Sequence, residues 1–321
     1  MRRKGIIALV AGVVIILAVF SFLFFKKHAG PEKTENFRLG FLADPLSSLL
    51  YIARDKGMFK RHGLDVSFVS YEGGAYAVND LLAGKVDVAV ATEFVLALQG
   101  FKRGDLRAIG TISTAENIEV VARRDLGIEK PEDLKGKRAG VSKGMNTEFL
   151  LNSFLSLNGV RPTEIQTIDL KPSEIVAALA EGKIDAGIFY PPFSDAAKKS
   201  LSVKAISWSA QGGQDYFFLL IAKDELIKTR PRAITSLLEG LLEAETFLKE
   251  HNREARDIVA RALNLAPAVV IDGWSKIRFR VRLDQELLTL MEDEARWAIR
   301  NKLVDAERVP NYFPLLYLEG L

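Results

Sequence analysis

The chain has no cysteine. That excludes disulfides, thiolate metal sites, a cysteine nucleophile and a lipid-bearing cysteine. Its three histidines, His28, His62 and His251, lie far apart in sequence, which is poor material for a zinc site. Neither a metal nor a cofactor is expected. Acidic residues are missing altogether from residues 1–27, where Arg2, Arg3, Lys4, Lys26 and Lys27 hold five of the chain's 44 basic residues. The other 39 bases meet 41 acids, so the body carries a net charge of −2 and the formal +3 of the whole chain misleads. A near-neutral body lacks the basic surplus that nucleic acid selects, so nucleic acid is not an expected partner. With 48% apolar and 26% charged residues in 321, the composition is globular, and the length suits one two-lobed protein or two ordinary domains.

One long uncharged run is present. Gly5–Phe25 (GIIALVAGVVIILAVFSFLFF) has 21 residues, and as a helix it spans a hydrocarbon core of about 30 Å. The apolar core of a removable signal peptide is usually shorter, about 7–15 residues. This run ends in Phe-Leu-Phe-Phe and is followed by Lys26-Lys27. Residues 1–27 therefore read as an uncleaved transmembrane anchor in preference to a removed signal segment. Both readings export the body, and the basic flank at residues 2–4 keeps the N-terminus in the cytoplasm. Residues 28–36 read as a polar tether.

Beyond the tether the chain says one thing twice. Asp80–Thr92 (DLLAGKVDVAVAT) returns at an offset of 98 as Ala178–Tyr190 (ALAEGKIDAGIFY), pairing Leu81 with Leu179, Gly84 with Gly182, Lys85 with Lys183, Val86 with Ile184 and Asp87 with Asp185. Each copy reads as a helix end, a glycine leaving it left-handed, and a short apolar strand. At an offset of 100, Arg38–Phe41 falls on Arg138–Val141. Any two βα units share some of this, but two matches at nearly one offset favour two related α/β lobes with a cleft between them.

Loops at the carboxyl ends of parallel strands line such a cleft, and helix N-termini there offer N–H groups. The loops predicted to face it are Asp44–Ser48, Gly73–Ala75, Thr92–Phe94 and Thr111–Ser113; in the second lobe Ser142–Thr147 is the loop after a strand and Phe189–Phe193 an aromatic corner. The residues expected to touch a ligand are Asp44, Ser47, Gly74, Thr92, Glu93, Phe94, Ser142, Asn146, Thr147, Tyr190 and Asp215. Backbone N–H groups at Gly74 and Thr147 suit a polar or anionic end. Tyr190, Phe94 and Phe193 could stack on a flat body. Asp44 and Glu93, if they point inward, disfavour nitrate or sulfonate and favour an amine or a hydrogen-bonding heterocycle; as solvated loop acids, or paired with Lys143, they do neither. Each Ser or Thr could equally be a plain helix cap, as Ser173 and Asp284 are expected to be.

Gly40, Tyr51-Ile52-Ala53, Lys56–Phe59, Gly63–Val66, Leu82–Asp87, Lys130–Lys137, Gly182–Ala186 and Tyr190-Pro191-Pro192 occur in an order and spacing that resembles the substrate-binding proteins of ABC importers for nitrate, sulfonates, taurine, and thiamine-pyrimidine or riboflavin precursors. The resemblance runs from Phe37 to Phe193 and continues more loosely to the C-terminus. Where that family commonly has Trp-Glu-Pro, this chain has Tyr190-Pro191-Pro192, which puts any contact of that acid in doubt.

The resemblance implies an α/β, two-lobed periplasmic-binding-protein fold of type II, preceded here by the transmembrane helix expected from Gly5–Phe25. Lobe 1 would comprise residues 37–117 plus 218–321 and lobe 2 residues 118–217, with crossings near Asn117–Arg123 and Asp215–Ala222. It implies a monomer on the outer face of the cytoplasmic membrane that captures a small molecule by hinge closure and delivers it to ABC permease subunits. A membrane-tethered sensing or accessory module without transport is the alternative. An enzyme on this fold is not expected, because no nucleophile–base pair is visible.

Overall fold

The computed structural model describes residues 34–320. The proposed anchor Gly5–Phe25 lies outside the described residues, and among those described no helix is long and apolar enough to cross a membrane.

Two sheets carry the fold. The first is built from β1 (Glu35–Leu42), β2 (Leu64–Tyr71), β3 (Val88–Thr92), β4 (Leu106–Ala115), β10 (Tyr216–Lys223) and β11 (Ile277–Arg282), in the order β11-β4-β10-β3-β1-β2. The second holds β5 (Glu119–Arg123), β6 (Arg138–Val141), β7 (Gln166–Asp169), β8 (Ala186–Phe189) and β9 (Ala205–Ser209), in the order β7-β6-β8-β5-β9. The central strands β3, β8 and β10 are near-continuous apolar runs, as strands covered on both faces must be. The helices that position the cleft are α1 (Ser48–Asp55), α2 (Gly74–Leu82), α3 (Glu93–Gly100), α4 (Asn146–Leu157), α5 (Pro172–Ala180) and α6 (Gln285–Arg300).

The two sheets repeat one plan. Outermost to innermost, β2-β1-β3 matches β7-β6-β8, and each trio is followed by an antiparallel strand, β10 beside β3 and β5 beside β8. The recurring residues explain themselves in this frame. Gly84 and Gly182 both sit at φ +73, the left-handed region where glycine pays no Cβ penalty. Both are followed by a lysine N–H that reaches back to the helix, Lys85 to the Asp80 carbonyl and Lys183 to the Ala178 carbonyl, each at 2.9 Å. The two other repeated residues are partners. Arg38 donates its backbone N–H (2.7 Å) and its guanidinium (3.0 Å) to the Asp87 carboxylate, and Arg138 does the same to Asp185 at 2.8 and 2.7 Å. Asp87 N and Asp185 N return the bond to the Arg38 and Arg138 carbonyls, both at 2.8 Å. The Arg138 guanidinium holds the Asp185 carboxyl below its ordinary range. Asp185→Ala therefore strands a backbone N–H and a guanidinium. It is expected to cost about 1–3 kcal/mol in urea unfolding, with Asp185→Asn recovering part of the loss.

The crossings are shorter than expected from the sequence, because Glu119–Arg123 and Tyr216–Ala222 are already inside their sheets. The links between the sheets are Glu116–Ile118 and Ala210–Asp215, and the buried Gln211 ties them together. It accepts from Ile118 N at 2.8 Å and donates to the Ala115 carbonyl at 3.0 Å and the Gln214 carbonyl at 2.6 Å. The C-terminal stretch docks on the first sheet: Tyr312 is buried and its hydroxyl donates to the Ala97 carbonyl at 3.0 Å, while Tyr317 N donates to the Ala108 carbonyl at 2.9 Å.

Candidate functional site

The carboxyl ends of the parallel strands of both sheets and the amino ends of the antiparallel β5 and β10 converge on one cavity. From the first sheet come Leu42 and Asp44 after β1, Gly73 and Gly74 at the start of α2, Thr92 and Val95 after β3, and Tyr216 and Phe218 of β10. From the other side come Ile118, Met145, Asn146 and Tyr190. The space open to the centres of water-sized spheres is about 20 Å³, room for one or two waters. The lobes meet across it. Ser173 Oγ of α5 donates to Glu72 Oε2 at 2.8 Å, and the Tyr190 hydroxyl donates to the Glu72 carbonyl. This overturns the expectation that Ser173 caps its helix. The N-cap is Lys171, and Glu174 takes the Lys171 N–H at 2.9 Å, which leaves the Ser173 hydroxyl free to reach the opposite lobe. Asp284 likewise makes no capping hydrogen bond; it pairs with Arg282.

Five of the eleven expected contact residues line this cavity: Asp44, Gly74, Thr92, Asn146 and Tyr190. Asp44 is 3% exposed. Its Oδ1 accepts from Leu46 N at 2.9 Å and Ser47 N at 3.3 Å, so Asp44 caps the first turn of its loop. Burial raises its carboxyl to about 8 against those two bonds, which lower it. Gly74 starts α2 so close to β3 that a Cβ would stand 2.6 Å from Ala91 Cβ and 2.7 Å from Ala91 Cα. As the first residue of the helix it has no acceptor for its N–H within the helix. Thr92 Oγ1 and Asn146 Nδ2 are buried with no hydrogen-bond partner among the described residues.

The other six stand elsewhere. Ser47 Oγ donates to the Leu42 carbonyl at 2.7 Å and Ser142 Oγ to the Leu170 carbonyl at 2.7 Å, so both fasten loops. Thr147 is buried beside Asn146 with an unpartnered Oγ1 but does not line the cavity. Phe94 is not available for stacking on a ligand. It is fully buried between Phe149 of α4 and Trp297 of α6, with ring centroids 6.2 and 5.9 Å away, so its ring packs lobe against lobe. Glu93 and Asp215 line a second, smaller space of about 10 Å³ together with Glu294 and Phe149, and this space shares Asn146 and Tyr216 with the first. Glu93 accepts from Phe217 N at 2.6 Å and Asp215 from Thr114 Oγ1 at 3.0 Å, and Arg278 pairs with Asp215. Glu93 and Glu294 share a hydrogen bond, and burial raises both, Glu93 to about 7 and Glu294 well above its ordinary value.

Sequence reasoning missed Tyr216, Met145 and Ile118. Tyr216 opens the apolar run YFFLLIA, which reads as core; only its hydroxyl, 2.9 Å from Asn117 Oδ1, marks it as different.

The profile of the family described as NMT1/THI5 like matches residues 45–255. The chain belongs to the NMT1/THI5-like family. This NMT1/THI5-like chain is 29% identical over 235 residues to a putative binding protein of Brucella abortus, with 72% of each chain covered. To the taurine-binding periplasmic protein of Escherichia coli it is 24% identical over 192 residues, 60% of each. Among solved structures, the alkanesulfonate-binding protein SsuA of Xanthomonas axonopodis pv. citri, bound to MOPS, superposes with a TM-score of 0.76 at 18% identity, covering 88% of this chain and 98% of that one. The fold is thus the α/β two-lobed periplasmic-binding-protein fold. An enzyme shares it: the desulfurization enzyme DSZB superposes at a TM-score of 0.61 and 16% identity, covering 88% of this chain and 97% of that one.

Proposed function

We propose that the chain is the extracytoplasmic solute-binding component of an ABC importer. It captures a small organic molecule between lobes 37–117 plus 218–321 and 118–217, closes by hinge bending at the Gln211-linked crossings, and presents the closed form to permease subunits. Gly5–Phe25 would hold it, as a monomer, at the outer face of the cytoplasmic membrane. The observation that carries this reading is the cavity at the strand ends, where Thr92 Oγ1 and Asn146 Nδ2 stand buried and unpartnered. Buried polar atoms without partners are rare and point to something that completes them. The names of the relatives support capture.

The absence of native cysteine permits a direct test. Exposed Lys102 and Lys199, one on each side of the cleft, become the dye sites in a Lys102→Cys/Lys199→Cys chain. A captured solute is expected to change the inter-dye distance and, at 100 times its dissociation constant, to add about 2.7 kcal/mol of stability. A panel of amines, sulfonates, nitrate, pyrimidines and riboflavin that moves neither reading would remove the proposal.

A further inference from the structure

The capture reading leaves the ligand's chemistry open, and the cavity wall constrains it. Asp44 is the one ionisable carboxylate on the lining, and no Lys, Arg or His stands beside it. Its Oδ1 is occupied by two backbone N–H groups. The titratable groups around it are the phenols of Tyr51, Tyr190 and Tyr216 and, in the adjoining opening, the acid Glu72, none of which is a cation. A carboxyl kept this dry without counter-charge is the expensive case of polar burial. Burial does push it up to about 8. Elsewhere on the lining the needs are different. Asn146 Nδ2 seeks an acceptor, Thr92 Oγ1 has no partner, and the start of α2 at Gly74 offers an N–H.

We infer that the ligand carries a cationic or amino nitrogen that seats on Asp44, with an acceptor group at its other end facing Asn146 and Gly74. This inference rests on the capture reading, in which the lobes part to admit a ligand larger than the one or two waters the cavity has room for as it stands. It selects amino acids, aminosulfonates and amino-heterocycles over simple sulfonates or nitrate. A sulfonate without an amine brings no counter-charge to the Asp44 carboxyl and sets a negative group beside it. An ammonium supplies the missing counter-charge, and the polar atoms opposite take the acceptor end.

The test uses pairs that differ only by exchanging an amino group for a methyl: taurine against propane-1-sulfonate, β-alanine against butyrate, and 4-aminopyrimidine against 4-methylpyrimidine. Calorimetry and the inter-dye distance are read on the full chain in detergent micelles. In at least one pair the amino member is expected to bind tenfold or more tightly in the native chain, with the ratio falling to near one in Asp44→Asn. Asp44→Ser, which can still cap the turn, serves if the asparagine variant folds poorly. A ratio near one in the native chain, a preference for the methyl member, or a ratio unchanged by both substitutions overturns the inference. Methyl members that bind and close the lobes would leave capture standing while this inference falls. If no member of any pair binds, the inference falls, and the dye panel decides capture separately.

Discussion

Gly74→Ala is expected to lower stability by about 1–3 kcal/mol and to weaken ligand binding by tenfold or more. The added Cβ meets Ala91 Cβ at 2.6 Å and Ala91 Cα at 2.7 Å. Neither is the end of a flexible side chain, because Ala91 lies in β3, buried at the centre of its sheet. Relief has to come from α2, which must back away from the sheet and take with it the helix start that borders the cavity. One change therefore reaches both packing and site. Removing the opposing methyl in Gly74→Ala/Ala91→Gly relieves only the first of the two contacts, so rescue should be partial. Thermal unfolding and calorimetric titration of the two variants check the result. A Gly74→Ala chain with native melting temperature and native affinity would show that α2 has room to move.

The second large effect is on the pH dependence of stability. Glu93 sits at about 7 and Asp44 at about 8, against ordinary values of 4.5 and 3.8, and Glu294 is raised as well. In each case burial is the largest cause. A raised carboxyl keeps its proton in the folded chain over a window in which the unfolded chain has lost it. Stability therefore falls as pH rises through that window. The penalty is absent below about pH 4 and complete above about pH 8. For Glu93 alone it is on the order of 3 kcal/mol. The groups that face the Glu93–Glu294 pair are the Phe217 N–H, Asp293, the Tyr312 phenol and, across the small space, Asp215, and none of them is basic. The acids held below their ordinary range, such as Asp80, Asp105 and Asp185, act at still lower pH and do not offset the trend. The melting temperature is expected to rise by several degrees between pH 8 and pH 5, and Glu93→Gln/Glu294→Gln should flatten much of that slope. A melting temperature that falls over the same interval would place these carboxyls in a wetter setting than their burial describes.

Those two carboxylates also show how far the sequence could be read. Glu93 was legible as a residue at a strand's carboxyl end, because a five-residue apolar strand followed by a helix is a local pattern. Its partner was not. Glu294 lies about two hundred residues on, in a helix whose period announces only an apolar face, and the meeting of the two depends on strand order. The same division runs through the site. Asp44, Gly74, Thr92, Asn146 and Tyr190 follow from βα corners and line the cavity. Phe94 follows from the same logic and fails, because α3 turns its ring toward Phe149 and Trp297. Gln211 carries no signal at all in Ser-Ala-Gln-Gly-Gly; its importance is three hydrogen bonds to backbone brought near by the crossings. The repeat was legible as matched letters, yet the bond between its two halves, arginine to aspartate in each lobe, appears only once β1 lies beside β3 and β6 beside β8.

The second sheet is drawn from a single stretch of chain, β5 to β9, while the first is assembled from both sides of it. That stretch leaves and re-enters through two short links held by one glutamine. Residues 119–209 thus form a continuous cassette that leaves and re-enters its host at one place, while Phe149, Ser173 and Tyr190 touch the other lobe across the cleft. Exchanging it for the corresponding segment of another family member would replace one wall of the binding cavity and leave the other wall intact, a modular route to chimaeras with mixed ligand preference.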